Sequence, residues 1–239
     1  ALGTHENTSL IRQNTKRTGV IGIFKALGKN DQLMWLAASY FLFALGYVVT
    51  NSLLAYYFTY VLGQSNKFTF AGWIMAVLGV ISVSLFPVIV AKVHRKAIYV
   101  GGICMMLIGY VLFLFAGNSL LGVLVSVAVF FFPYPMIFLA ALMTITDSVE
   151  YGQWKNGTRN ESVTLSIRPL IDKLAGAVAN GVVGIAAVHS GMTGNAAPSS
   201  ISAAQLSNFK MYMFYGPMIL VAVAAIVYYT KVKLSEARH

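Results

Sequence analysis

Six long apolar segments constrain the fold of this chain more than any other feature of its sequence. Each contains about 20 or more mostly apolar residues, the length that an α-helix needs to cross the roughly 30 Å hydrocarbon core of a bilayer. The runs are continuous rather than alternating, and an open sheet would leave backbone groups unsatisfied in lipid. The sequence therefore predicts an all-α membrane protein with six spans, at 33–62, 68–91, 97–116, 121–145, 164–188 and 209–230.

The low charge content agrees with a membrane protein. Only 10% of the 239 residues are charged and 58% are apolar, whereas a soluble globular domain carries roughly 25% charged residues. The sequence has no G-x-S-x-G, no H-E-x-x-H and no glycine-rich phosphate loop. Its single cysteine, Cys104, supports neither a disulfide framework nor a metal cluster. We therefore expect no enzymatic activity, no metal and no resident cofactor.

The basic residues give the chain a net charge of +10, and their positions predict its orientation. Fifteen of the seventeen lie on one side of the six spans, and only Lys67 and Lys210 lie on the other. Since Lys and Arg are enriched in cytoplasmic loops, we predict a multi-pass protein of the cell membrane with both termini cytoplasmic. The chain then divides into a cytoplasmic segment (1–32), a six-helix bundle in lipid (33–230) and a cytoplasmic tail (231–239). This distribution explains the basic charge without a nucleic-acid partner.

Six spans with both ends on one side allow two architectures. The chain matches one half of a twelve-helix transporter, in which two six-helix halves face each other around a site at the bilayer midplane. A stand-alone six-helix protein, such as a channel subunit or an assembly protein without transport chemistry, fits the same topology. Topology alone leaves both open.

Polar residues inside the spans mark candidate functional positions. A charged residue in a span costs about 2.5–3.5 kcal/mol on insertion scales, so a function is its default interpretation. Arg168 and Asp172 in the fifth span are four residues apart, so they share a helix face and can pair. Lys173 points about 100° away and requires another partner or a ligand. Asn51, deep in the first span, either bonds a neighbouring helix or faces a polar cavity.

The fourth span contains two prolines, Pro133 and Pro135, within the aromatic stretch "FFFPYPMIF". Each proline removes a backbone donor, so an unbroken helix is not expected there. Broken helices at membrane depth are tolerated where they are packed in protein or line a cavity. The aromatic rings either stack on the apolar face of a sugar or face lipid beside a simple kink.

Charges are concentrated between the fourth and fifth spans. Residues 147–173 hold four of the seven acids of the chain beside four bases. A network that bridges the two spans, and that breaks and re-forms as a gate closes, is one explanation of this balance. Its members are Asp147, Glu150, Lys155, Arg159, Glu161, Arg168, Asp172 and Lys173.

The same region carries a family resemblance. The stretch "ITDSVEYGQWKNGTRNESVTLSIRPLIDKLAGA" (145–177) closely resembles the signature between helices ten and eleven of the glycoside–pentoside–hexuronide:cation symporters, a branch of the major facilitator architecture. Four further stretches extend the resemblance, which is strongest to the C-terminal half of the lactose permeases of lactic-acid bacteria. They are "KALGKNDQLMWLAASY" (25–40), "YYFTYVLG" (56–63), "SVSLFPVIVAKVHRK" (82–96) and "HSGMTGNA" (189–196).

The resemblance implies a function for the chain as a whole. It implies secondary active sugar transport, as galactoside:cation symport or galactoside exchange by alternating access, with this chain as the C-terminal half. The implied partners are a galactoside, a co-transported proton or sodium ion, the N-terminal half of the same transporter and membrane lipid. The family's cation-coupling carboxylates lie mostly in the N-terminal half.

The resemblance also implies roles for single residues. In the family pattern K-x-G-H-R-x-E, which is tied to coupling, Lys155, Arg159 and Glu161 match, while Thr158 stands where a His is usual. By this resemblance Asp147 matches a family acid as well. By the same resemblance Lys173 and Phe138 line the sugar site. Departures occur at Pro169, where relatives contribute a Thr hydroxyl, and at Ala91, where an Asp is frequent.

Overall fold

The computed structural model describes residues 28–156, 161–194 and 196–234, without the side chains of Asn156 and Val163. In this part of the chain six helical segments are long and apolar enough to cross a membrane, which confirms the predicted number, and no β-strand occurs. Its helices are α1 (Asp31–Tyr56), α2 (Phe68–Val90), α3 (Arg95–Ala116), α4 (Leu120–Phe131), α5 (Tyr134–Asn156), α6 (Glu161–His189), α7 (Ala203–Lys210) and α8 (Gly216–Lys231). One π-helical stretch extends α1 over Tyr57–Val61, and a second joins α7 to α8 over Met211–Tyr215.

The fourth span consists of two helices, as its prolines predict. α4 ends at Phe131 and α5 begins at Tyr134, with Pro133 at the junction. Phe130 and Phe131 are both buried, so these rings pack inside the bundle rather than facing lipid. From the predicted span end at residue 145, α5 continues to Asn156. Residues 146–156, which the apolar pattern assigns to a connection, are therefore helical.

α1 lies at the centre of the bundle. It packs against α5, α6 and α8, while α3 packs against α4, α5 and α8. Aromatic rings fill much of the space between these helices. Tyr99 of α3 and Tyr228 of α8, for example, stack with their ring centroids 3.9 Å apart. α2 packs against α4 and α5 and leaves most of its apolar surface exposed, as expected of a helix at the edge of a bundle in lipid.

Two hydroxyl groups tie α1 to α3 and α8. Ser39 donates to a backbone carbonyl of α8 at 2.7 Å, and its oxygen lies 3.0 Å from the Tyr99 hydroxyl of α3. Three turns further along α1, Thr50 donates to a backbone carbonyl of the π-helical stretch before α8 at 2.9 Å, and lies 2.8 Å from the Tyr110 hydroxyl. All four side chains are buried. In lipid such interhelical bonds hold helices together where the hydrophobic effect does not.

Glycines allow the closest helix contacts in the same region. A Cβ atom added to Gly109 of α3 would lie 2.8 Å from the Cα and 2.9 Å from the backbone nitrogen of Phe130 on α4. One added to Gly46 of α1 would lie 2.7 Å from a methyl group of Val221 and 3.0 Å from the Pro217 carbonyl oxygen. Because backbone atoms cannot move aside, these two positions require glycine.

Candidate functional site

α6 presents one buried and one open face, and the predicted charged residues lie at the boundary between them. Ile171 and Ala175 are buried, on the side where α6 packs against α1. Arg168 and Asp172 lie at the edge of this buried face and are partly buried. Lys173 lies about 100° further round the helix and is exposed. The three charges therefore sit within two turns of each other in the first half of the helix, and Lys173 points away from Arg168 and Asp172.

Arg168 and Asp172 form the centre of a cluster that joins three helices. The predicted pair is present, with Nη2 of Arg168 3.1 Å from Oδ2 of Asp172 and side chains 27% and 38% exposed. Tyr40 of α1 donates its hydroxyl to Asp172 at 3.2 Å. The guanidinium carbon of Arg168 lies 3.9 Å from the ring centroid of Phe138 on α5. The ring face of Phe138 that Arg168 covers is closed to a sugar in this conformation.

Arg168 retains an unused donor within this cluster. Its Nε atom is buried and has no hydrogen-bond partner among the described residues. Buried polar groups are nearly always hydrogen-bonded, so such an exception in a native structure requires an explanation. A ligand oxygen or a second arrangement of the Arg168 side chain would each supply the partner.

A row of aromatic rings continues from Phe138 along α5 and α1. Tyr134 lies one turn before Phe138, with ring centroids 6.3 Å apart. Tyr134 in turn stacks on Tyr47 of α1, with centroids 3.9 Å apart and planes within 8° of parallel. Both tyrosines are partly exposed. The row follows the break between α4 and α5, so the broken helix and the charged cluster belong to one surface.

Asn51 lies on this surface but apart from the charged cluster. It follows Tyr47 by one turn on the same face of α1 and is exposed. Its distance from Tyr40 along the helix is about 16 Å, because each residue adds about 1.5 Å. Asn51 therefore extends the aromatic row away from Asp172. Its proposed contact with a ligand stays a prediction.

The open face of α6 adds a residue that the sequence reasoning did not single out. Asn180 lies two turns beyond Lys173 on the same row of the helix, and both are exposed. Neither has a hydrogen-bond or ion-pair partner in the described part of the chain. The rest of the row is small or polar, since it also contains Ala177 and Gly184. Exposed Leu174 and Val178 border it, so the polar positions form a narrow row on an otherwise apolar face.

At the end of the bundle where α1 begins, Lys155 has a different partner from the one predicted. It forms an ion pair with Asp31 at the start of α1, and Tyr151 also donates to Asp31 at 3.0 Å. Nearby, Asn30 donates to the Ser148 carbonyl at 2.8 Å. Lys155 therefore contacts the start of α1, because the helical extension of α5 lies against it. The network predicted to bridge the fourth and fifth spans stays a prediction.

Asp147 likewise pairs with a helix outside the predicted network. It forms an ion pair with Arg95 at the start of α3, and Arg95 also donates to the Met143 carbonyl at 3.3 Å. Glu150 is exposed on α5, and Glu161 is the exposed first residue of α6. The predicted positions Thr158 and Arg159 lie outside the described residues.

Sequence reasoning missed several contributors to these clusters, among them Asp31, Arg95, Tyr40 and Tyr134. Asp31 offered a signal, because it is one of only seven acids and lies two residues before the first apolar run. Arg95 was assigned to the orientation of the chain, a role that does not exclude an ion pair. The two tyrosines offered none, since Tyr in a span is usual near the membrane interface.

Comparison with known proteins places the whole chain in one group. Residues 1–236 match the family model described as "MFS/sugar transport protein". The chain is 47% identical to the raffinose carrier protein of Pediococcus pentosaceus and 39% identical to the lactose permease of Leuconostoc lactis. It is 42% identical to the lactose permease of Lactobacillus delbrueckii subsp. bulgaricus. Each comparison covers 100% of this chain.

The same comparisons set the scale of the chain. It spans 37% of the length of the Pediococcus and Leuconostoc proteins and 38% of that of the Lactobacillus protein. The similarity therefore concerns a little over a third of the length of each relative.

Proposed function

The chain belongs to the MFS/sugar transport protein family, and on that premise we propose that it forms the C-terminal half of a secondary transporter for a galactoside. Its relatives are named for raffinose and lactose, two sugars that both contain a galactosyl unit. Family membership favours this assignment over a stand-alone channel subunit or assembly protein. Transport proceeds as symport with a proton or sodium ion, or as exchange of one galactoside for another.

The observation that carries the proposal is the surface formed by α1, α5 and α6. It combines partly exposed aromatic rings with an exposed cation, Lys173, beside a partly buried Arg168–Asp172 pair. Aromatic walls with a few directed polar groups are typical of small-molecule sites. Ionisable residues at membrane depth usually face a cavity or a pathway. The galactoside would contact Lys173 and the rings, and the second half of the transporter would supply the opposite wall.

Arg168 gives this site two states. With its guanidinium over Phe138, the ring is covered and the Asp172 carboxylate is held by Arg168 and Tyr40. A sugar that stacks on Phe138 would displace the guanidinium and offer hydroxyl oxygens to its unused Nε donor. Sugar binding and the departure of the Arg168 guanidinium from the Phe138 ring are then coupled. This arrangement gives the bound and empty site different contacts, as a ligand-dependent conformational change requires.

The charged end of α5 would move with the gate. Asp31–Lys155 and Arg95–Asp147 hold α5 to α1 and α3 within this half. We assign Glu161, at the first turn of α6, together with Lys155 and Arg159 to the balance between inward- and outward-facing states. Alternating access then consists largely of rigid-body rocking of this bundle against its partner half. The carboxylates that bind the co-transported cation would lie mostly in that partner half.

Sugar counterflow tests the proposal most directly. Vesicles that contain the complete transporter and are loaded with unlabelled lactose should transiently accumulate labelled lactose, and the Lys173→Ala variant should lose most of this signal. Glu161→Gln should lower cation-driven uptake more than exchange, because exchange does not require return of the empty carrier. If Glu161→Gln weakens exchange and binding as much as Lys173→Ala does, Glu161 belongs to the sugar site rather than to the gate. Uphill uptake by this chain alone would contradict its assignment as one half.

The proposed orientation has a separate test. A cysteine introduced at Ser199, between α6 and α7, should react with an impermeant thiol reagent added outside intact cells, and one at Asn156 should not. The reverse pattern would show that the basic residues face the exterior and would overturn the cytoplasmic placement of both termini.

A further inference from the structure

A cleft lies between the start of α3, the middle of α5 and the end of α8, away from the aromatic and charged surface described above. Its volume is about 490 Å³. The walls are mostly apolar, but one end carries charged and titratable side chains. Those at the charged end are His94, Arg95, Lys96 and Asp147. The cleft thus has a polar mouth and an apolar body.

The apolar body opens onto two exposed helix faces. On α3 the face that includes Cys104 continues four residues later with Ile108, which is 57% exposed. On α8 the face that includes Tyr229 (64% exposed) continues three residues earlier with Ile226 (61% exposed). α3 packs against α8, so the two exposed faces lie on neighbouring helices, and we name the strip between them the groove. Apolar exposure of this kind marks a surface that contacts lipid or a partner.

The mouth of the cleft favours an anion. Lys96 donates to the Val232 carbonyl at 3.3 Å and lies 4.9 Å from the ring centroid of Tyr229. An ammonium group has three donors, and the carbonyl takes one of them among the described residues. Arg95 stands beside it and pairs with the single carboxylate of the cleft, Asp147. Three more exposed lysines lie within four residues of lining positions: Lys92, Lys231 and Lys233.

We propose that this cleft is a binding site for a phospholipid with an anionic headgroup. The phosphate contacts Lys96 and Arg95 at the mouth, and an acyl chain lies along Cys104 and Ile108 between α3 and α8. Basic pockets between membrane helices are known to bind anionic headgroups, and the groove supplies the apolar length that a soluble phosphate would not use. Because the phosphate competes with Asp147 for Arg95, bound lipid also loosens the contact between α3 and α5.

Native mass spectrometry of the complete transporter tests the site. Protein from micelles that contain equal amounts of phosphatidylglycerol and phosphatidylcholine should retain phosphatidylglycerol preferentially. Lys96→Gln should reduce this preference by about fivefold, the weight of one lysine near an anionic surface. The matched control is Lys67→Gln, since Lys67 also lies over an aromatic ring (Phe70, 5.3 Å) but at the opposite end of the spans. An equal loss in both variants, or no loss in Lys96→Gln, overturns the proposal.

A second variant tests the acyl-chain groove with the charges intact. Gly101 lines the cleft, and a Cβ atom added there meets nothing within 4 Å. Gly101→Leu should therefore fold, fill the groove and lower retention of phosphatidylglycerol. Unchanged retention would show that the lipid binds elsewhere.

Alkylation of Cys104 locates the bound molecule. Phosphatidylglycerol should slow the reaction of Cys104 with N-ethylmaleimide, followed by mass spectrometry of its peptide, and the effect should be smaller in Lys96→Gln. Soluble glycerol phosphate, which carries the headgroup charge without acyl chains, should not protect. Protection by glycerol phosphate would indicate a simple anion site, and an unreactive Cys104 in every mixture would show that another part of the transporter covers the cleft. Either result contradicts the lipid site.

Discussion

The interface of α1 with α3 and α8 and the surface of α1, α5 and α6 both place polar side chains inside the membrane, but they treat them in opposite ways. At the first, Ser39 and Thr50 are buried and fully hydrogen-bonded, and glycines bring the backbones together. At the second, Lys173 is exposed and Arg168 retains an unpaired donor. Saturated polar groups join helices, whereas open ones are available to a ligand.

The largest expected effect comes from disturbing the close packing of α3 against α4, beside the first interface. Gly109→Leu places side-chain atoms where a Cβ alone would lie 2.8 Å from the Phe130 backbone. Overpacking of this kind costs about 1–3 kcal/mol, occasionally more, so we expect little folded transporter by fluorescence-detected size-exclusion chromatography. The matched control is Gly184→Leu on α6, where an added Cβ meets nothing within 4 Å. Equal loss in both would show that the open face of α6 is itself a packed interface.

The next largest effect is expected at the surface of α1, α5 and α6. Lys173→Ala should weaken galactoside binding and exchange together by about 10- to 150-fold, the equivalent of one hydrogen bond to a charged group, while the protein folds normally. Equilibrium binding and counterflow measure this. Asn180→Ala, on the same row of α6, should have a smaller effect in the same direction. Unchanged galactoside binding in Lys173→Ala would show that Lys173 does not belong to the sugar site.

A smaller effect is expected from the removal of one buried, hydrogen-bonded hydroxyl group of α1. Thr50→Val keeps the shape of the side chain but removes its bonds to the π-helical stretch before α8 and to Tyr110. Interhelical hydrogen bonds in membranes average about 0.6 kcal/mol, with a maximum near 1.7. Thermal unfolding in detergent should show a small loss of stability and unchanged sugar affinity. A large loss of affinity with normal stability would mean that the saturated interface also shapes the sugar site.

The smallest effect should follow from the exposed pair at the end of α5. Asp31→Asn removes the partner of Lys155, and both side chains are more than a third exposed, so solvent screens the interaction. We expect at most about a fivefold decrease in cation-driven uptake, with exchange less affected. The charge-swapped variant Asp31→Lys with Lys155→Asp should recover part of the loss. Failure of the swap, with exchange lowered as strongly as uptake, would assign Asp31 to binding instead.

The contrast between the two surfaces was partly visible in the sequence. Arg168, Asp172 and Lys173 stood out because charges are rare in apolar runs, and the spacing of four predicted the pair between the first two. Ser39 and Thr50 did not stand out, since small hydroxyl residues are common in membrane helices and their partners lie on other helices. The contact between Arg168 and Phe138 could not be predicted either, because the two residues lie thirty positions apart on separate helices.

The sequence by itself determined the six spans, the break at Pro133 and the positions of the costly charges. These are local properties, because each span must satisfy its own backbone and bury its own apolar length in lipid. Only the tertiary structure decided which charges on different helices meet. With seventeen bases and seven acids many pairings are possible. Lys155 pairs with Asp31 at the start of α1 because α5 continues as a helix past the predicted end of its span. Ion pairs depend on approach in three dimensions, and helix packing fixes that approach.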